Sequence, residues 1–226
     1  MCDCIWNSDQ CSVTQFQEVK KSKKRKLNET SLSFNEYENS IFRVGTEIFF
    51  TTDINKNSIQ EIMKHIKEII HEDQKIKSDQ KIESSKEKLE IAYVVDSPGG
   101  SVSSVLKFYD FLQIIRNKFD YITFVSIISG TVASAGTIMA IAADKRYITN
   151  NASAMIHELS AGNNGKYTQI KGYTKHLDNL HDTLVKIYCS KTPKSKEEIE
   201  KLLSEETWFS AESYLENGFV DKIIGK

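Results

Sequence analysis

The residues of this chain with the clearest chemical potential form three groups. Ser134 lies among small residues in Gly130-Thr131-Val132-Ala133-Ser134-Ala135-Gly136. An isolated histidine follows in Ala154-Met155-Ile156-His157-Glu158, and a Gly-Gly turn precedes both in Ser97-Pro98-Gly99-Gly100-Ser101. A hydroxyl nucleophile, an imidazole that titrates near neutral pH and backbone N–H groups freed by glycines are the parts of an acyl-transfer site. Each part alone has a plain structural reading. A serine at a helix start is often a cap, Pro-Gly-Gly often only turns the chain, and a lone histidine at a strand end is more often structural. The three gain weight only together, which requires a fold that brings them together.

The elements that would do so can be read from periodicity. Glu47 to Thr52 and Leu89 to Val95 are rich in strand formers, and Tyr121 to Ile128 is a β-branched and aromatic run that enters a turn at Gly130. Arg146-Tyr147-Ile148 and Ala154-Met155-Ile156 read as two short strands. Apolar residues at three- and four-residue spacing mark helices over Ile59 to Ile70 and Val102 to Ile115, with a small-residue helix from Ser134 to Ala143. His65 and His71 sit on or just beyond the first of these and read as surface residues. A long stripe through Ile170, Tyr173, Leu177, Leu180, Leu184 and Ile187 predicts a helix from Thr168 to Ser190 that completes the core or meets another subunit. After Pro193 comes a charged helix from Lys196, then Trp208 to Ala211 as an anchor, a short helix ended by Gly218 and a terminal strand. Alternating strands and helices specify an α/β fold with crossover connections.

Ser134 would then sit where a strand turns into a helix. The free N–H groups and positive end of that helix favour a developing oxyanion, and Ala133, Ala135 and Gly136 would let a substrate backbone come close. Gly100 N–H and Ala135 N–H are the two expected oxyanion donors. The glycine turn lacks the Gly-x-x-x-x-Gly-Lys pattern of a phosphate loop.

Composition sets the limits. The 226 residues suffice for one sizeable domain, and 39% hydrophobic with 27% charged residues is ordinary for a soluble protein. A net charge of -1 gives no drive toward nucleic acid or anionic membrane, and no apolar run approaches the ~20 residues of a membrane span or a signal-peptide core. Cys2, Cys4 and Cys11 crowd the N-terminus and Cys189 stands alone, which is no disulfide framework and lacks the paired spacing of a zinc knuckle. No metal site, no cofactor and a cytoplasmic setting are therefore expected, although nuclear, organellar or viral-host settings stay open. Residues 1–40 read as a flexible polar extension, and the basic run from Lys20 to Lys26 as solvated tail in preference to an import address or nucleic-acid arm. Residues 41–226 read as the folded domain, with the charged stretch 72–88 as a loop insert or helix extension.

In order along the chain, Ser-Pro-Gly-Gly after a strand, Ala-Ser-Ala-Gly at a helix start, Met-Ile-His-Glu, a glycine-rich loop, a long helix and Phe-Ser-Ala-Glu-Ser-Tyr-Leu-Glu-Asn-Gly-Phe-Val-Asp resemble the ClpP family. These are self-compartmentalised serine peptidases of the ClpP/crotonase fold, and the similarity covers roughly Glu47 to Ile224. The resemblance implies a spiral of repeated β-β-α units with a protruding handle helix through which two rings meet. It implies Ser134 as nucleophile, His157 as general base, and Gly100 with Ala135 as oxyanion hole. Gly99, Leu159 and Gly162 fall in the family's substrate-binding segments, of which the stretch from Leu159 to Lys166 resembles the strand and loop that align an extended peptide by β-addition. The family's third triad member is usually an aspartate; Glu206 stands at that position, with Glu205 and Asp178 as fallbacks. The activity implied is endopeptidase cleavage of unfolded or delivered polypeptides in a homo-oligomeric chamber, as in protein quality control. This chain has no ATP-binding loop, so ATP dependence would come from a partner Clp-type AAA+ unfoldase. Two alternatives stand beside it: a weak or inactive subunit with a structural or regulatory role in a mixed ring, and crotonase-type acyl-CoA chemistry, which needs no serine nucleophile.

Overall fold

A computed structural model describes residues 41–80 and 88–225. The N-terminal extension with its basic run, Cys2, Cys4 and Cys11, and the end of the charged stretch lie outside the described residues.

The frame is a mixed α/β domain. Strands β1 (Ile41–Val44) and β2 (Glu47–Phe50) form a hairpin about Gly45, and helix α1 (Lys56–Gln80) follows. Then come β3 (Leu89–Ser97), α2 (Val102–Lys118), β4 (Ile122–Ala133), α3 (Ala135–Ile141), β5 (Lys145–Thr149) and β6 (Ser153–Ile156). The chain ends with α4 (Tyr167–Lys191), α5 (Lys196–Ser204), β7 (Thr207–Ser210), α6 (Ala211–Glu216) and β8 (Lys222–Ile224). The sheet runs β1-β2-β3-β4-β5-β8, parallel from β2 onward, while β6 joins the far end of β4 and pairs with β7. The β-β-α order implied by the ClpP resemblance occurs as β1-β2-α1 and β5-β6-α4, with single-strand units between.

The apolar spacing in α1 and α2 produces the core directly. Ile59, Ile62 and Ile66 of α1, with Val105, Phe108 and Leu112 of α2, are fully enclosed against Ile91, Tyr93 and Val95 of β3. β3 and β4 are buried on both faces, the pattern expected of parallel strands covered by helices.

One segment differs from its sequence expectation, and a second takes one of the two courses left open for it. β4 does not end in a turn at Gly130 but continues to Ala133. Gly130 has φ +105°, and a Cβ there would sit 2.7 Å from the Asp96 carboxyl carbon, whose Oδ1 accepts from Thr131 N–H at 2.9 Å. The ladder slips beside Val95 and Ser97, and beyond it β4 changes partner from β5 to β6. Gly130 thus makes a strand irregularity, which local composition cannot tell from a turn. The first part of the charged stretch is helix, since α1 runs on to Gln80. Long-range partners hold it there: Arg43 bonds Glu72 at 2.7 Å, and buried Lys77 pairs with Asp73 while lying 4.0 Å from the centre of the Tyr121 ring.

Helix α4 is buried only over its last turns, at Leu184, Val185, Ile187 and Tyr188. Tyr167 and Ile170 near its start are exposed, so the apolar stripe continues beyond the domain's own core. Among the described residues no helix is long and apolar enough to cross a membrane.

Candidate active site

The Ser97–Ser101 turn is clamped from two sides. Ser97 Oγ donates to Thr52 O at 2.7 Å and accepts from Gly99 N–H at 3.2 Å. Ile54 N–H donates to Gly99 O and Ser101 N–H to Ile54 O, both at 2.7 Å. Gly99 and Gly100 have φ +99° and +137°. A Cβ on Gly99 would lie 2.5 Å from Ala133 O and 2.8 Å from Ser134 Cβ; one on Gly100 would lie 2.3 Å from Ile54 O. Glycine is required here by backbone sign and by space, and the missing side chain lets the turn lie against Ser134. Gly99→Ala should therefore cost about 3 kcal/mol or more in denaturant unfolding, because the obstructing atoms are backbone. A loss below about 1 kcal/mol would mean that the two segments separate freely.

Ser134 occupies the N-cap position of α3 but does not cap it: its side chain makes no capping bond. Its backbone has φ +54° and ψ −126°, a conformation that costs a non-glycine residue of order 1–3 kcal/mol. The normal capping serine is extended there, so the plain reading of Ser134 as a helix cap does not hold. The turn is anchored by Ser134 N–H donating to Met155 O at 2.9 Å and by the Ser134 carbonyl accepting from Thr137 N–H at 3.0 Å. Ala135 opens α3, so its N–H has no carbonyl within the helix. Among the described residues neither it nor Gly100 N–H donates to a backbone carbonyl.

Strand pairing delivers the other two groups. β6 runs parallel to the end of β4, with Ala133 opposite Met155, and antiparallel to β7, with Ile156 opposite Thr207. The ladder ends there, with His157 the next residue after β6 and Glu206 the residue just before β7. His157 therefore leaves β6 between the helix start that carries Ser134 and the strand start that carries Glu206. Ser134 and His157 line one narrow cavity of about 20 Å³, with Val105, Ile138 and Leu184 in its wall. His157 and Glu206 line a second, more open one of about 370 Å³. Leu159 lines both.

Glu206 has φ +50°, the only non-glycine besides Ser134 with positive φ among the described residues. Of the fallback acids, Glu205 pairs with Lys201 at 3.9 Å and Asp178 is exposed on α4; neither lines a cavity with His157. Among the described residues, Ser134 Oγ, the His157 ring and the Glu206 carboxylate make no hydrogen bond or ion pair. The segment from Leu159 to Lys166 has no strand structure, and a Cβ on exposed Gly162 would meet nothing within 4 Å. It is not itself a formed strand.

Sequence reasoning missed His181 and Tyr188, which line the Ser134 cavity from α4, and Thr137 beneath Ser134. The α4 stripe contained the signal: Leu177, His181, Leu184 and Tyr188 fall on one face at helical spacing. Among the described residues no group of three or more His, Cys, Asp or Glu could hold a metal ion.

The fold thus defines a mixed α/β protein in which a strained serine at a strand-to-helix turn shares one cavity with a histidine, and that histidine shares a second with a carboxylate. Residues 39–226 match the family model described as Clp protease. The match spans most of the chain, and the chain belongs to the Clp protease family, whose members are ClpP-like peptidases that generally form rings with Clp ATPases.

Proposed function

We propose that this protein is a serine endopeptidase acting through Ser134, His157 and Glu206. One observation carries the reading: the strained Ser134 backbone faces His157 across a cavity beside two uncommitted N–H groups. Ser134 Oγ attacks the scissile carbonyl carbon while His157 takes its proton. The tetrahedral oxyanion accepts hydrogen bonds from Gly100 N–H and Ala135 N–H, and the C–N bond breaks as His157 returns the proton to the leaving amine. Water, deprotonated by His157, then hydrolyses the acyl-serine. Glu206 orients the imidazole and stabilises its charged form. The aliphatic wall of Val105, Ile138 and Leu184 supports an apolar substrate side chain next to the bond cleaved, and Gly99, Leu159 and Gly162 flank the path of the peptide.

The same reading includes assembly. The exposed apolar residues at the start of α4 suit a homo-oligomeric chamber, and a AAA+ unfoldase would supply the polypeptide. The cytoplasm is the compartment proposed. A second reading, a weak or inactive subunit of a mixed ring, draws on the glutamate in place of aspartate and on the unbonded Ser134, His157 and Glu206 side chains.

A fluorophosphonate probe separates the two. The full-length chain should be labelled, with the phosphonyl group mapped to Ser134, and Ser134→Ala should be unlabelled. A wild-type chain that assembles yet takes no label would sink the endopeptidase reading in favour of the inactive subunit.

A further inference from the structure

The Ser134 carbonyl accepts twice, from Thr137 N–H at 3.0 Å and from the Thr137 hydroxyl at 2.6 Å. Thr137 Oγ1 also lies 2.6 Å from the Tyr188 hydroxyl oxygen. A carbonyl cannot donate, so the single Thr137 hydroxyl proton belongs to the Ser134 bond. The bond between the two hydroxyls must then run from Tyr188 to Thr137. The result is a directed chain from α4 to the peptide of the proposed nucleophile. Both members are enclosed, with Thr137 0% and Tyr188 2% exposed. The Tyr188 ring is fixed edge-on against Phe219 at 5.9 Å, and burial pushes its phenol well above the ordinary value, so it remains a neutral donor.

A threonine in a first helical turn often bonds back to a carbonyl with no further consequence. Here the carbonyl is special. Ser134 C=O and Ala135 N–H belong to one planar peptide unit and point in opposite directions, so pinning the oxygen aims the N–H. Hydrogen bonds accepted by the oxygen also polarise that unit and strengthen its N–H as a donor. A backbone at φ +54° leaves its position unless its surroundings hold it there.

We propose that Thr137 and Tyr188 are positioning residues that aim and polarise the Ala135 N–H toward the oxyanion. The inference rests on the reading of Ser134 as nucleophile. It adds a mechanical link: α4, whose exposed start suits assembly, ends on a side chain that bonds toward the oxyanion hole.

The test uses Thr137→Val, Thr137→Ser, Tyr188→Phe and the double variant in the full-length protein. The readouts are kcat and KM on a fluorogenic peptide, affinity for a peptide boronate that forms a tetrahedral adduct, and Tm. Thr137→Val should lower kcat about tenfold or more with KM within about twofold, and weaken the boronate by a similar factor. Tyr188→Phe should lower kcat by about threefold, Thr137→Ser should stay near wild type, and the double variant should equal Thr137→Val, since Tyr188 acts through Thr137. A Thr137→Val protein with full kcat and boronate affinity, whatever its Tm, overturns the proposal. If that variant does not fold, unchanged kcat in Tyr188→Phe overturns it instead. Retained activity in Ser134→Ala removes the nucleophile reading and this inference with it, whereas an inactive Ser134→Ala beside a fully active Thr137→Val removes this inference alone.

Discussion

Ser134→Gly should abolish peptide hydrolysis and at the same time make the protein more stable. The loss of activity follows from the missing Oγ and is expected at about 10³-fold or more in kcat, since only the oxyanion donors and substrate binding remain. The gain in stability follows from the backbone. At φ +54° and ψ −126° a side chain is strained by of order 1–3 kcal/mol, whereas glycine enters this region freely. Glycine gives back roughly 0.5–1 kcal/mol through the greater entropy of its unfolded chain. The net is about 1 kcal/mol in favour of the variant, which for a domain of this size raises Tm by about 2–4 °C. Ser134→Ala is the control: it loses the same activity, keeps the strain and should melt within about 2 °C of wild type. Calorimetry and a peptide assay on the three proteins suffice. A Ser134→Gly protein less stable than Ser134→Ala would show that the turn is not strained, and a Ser134→Ala protein with substantial turnover would remove Ser134 from the chemistry.

This strain is the part of the site least legible in the sequence. Small residues around Ser134 mark a close approach, but the same composition suits an ordinary capped helix, and the difference is a backbone angle held by a bond to distant Met155 as well as a local one to Thr137. The helices with strict apolar spacing, α1, α2 and α4, were legible because burial of one face is a local pattern. Strand β1 was not read because Phe42 and Val44 point outward, and β7 because its four residues alternate about an exposed Trp208. Yet the β6–β7 pairing ends where His157 and Glu206 flank it, so the weakest local signal in the chain governs the most consequential register. Whether the charged residues beyond Ile70 continue the helix or form a loop stays open in the sequence for a related reason: Arg43 and Tyr121, which hold the helix, lie far away in sequence.

Glu206→Gln should lower kcat by about 10²- to 10⁴-fold while leaving KM nearly unchanged, because the amide keeps the side chain's size but neither orients the correct imidazole tautomer nor stabilises imidazolium. The argument is one of register. An antiparallel pair fixes neighbours to within a residue, and the β6–β7 ladder ends with Ile156 opposite Thr207, immediately before His157 and Glu206. Glutamate has one methylene more than the aspartate usual in the family, so its carboxylate must fold back to meet the ring. Glu206 itself has φ +50°, in the left-handed region, and lines the cavity shared with His157. Glu206→Asp keeps the charge and should stay within about tenfold of wild-type kcat, which separates charge from reach. Glu205→Gln is the matched control: Glu205 is paired with Lys201 outside the His157 cavity, and its change should leave kcat within about twofold. Should Glu206→Gln retain full turnover, the histidine is working without this acid. Should wild type and Glu206→Gln both hydrolyse no faster than Ser134→Ala, the chain is the weak subunit of a mixed ring, and the strained serine is a retained peptidase turn without its full chemistry.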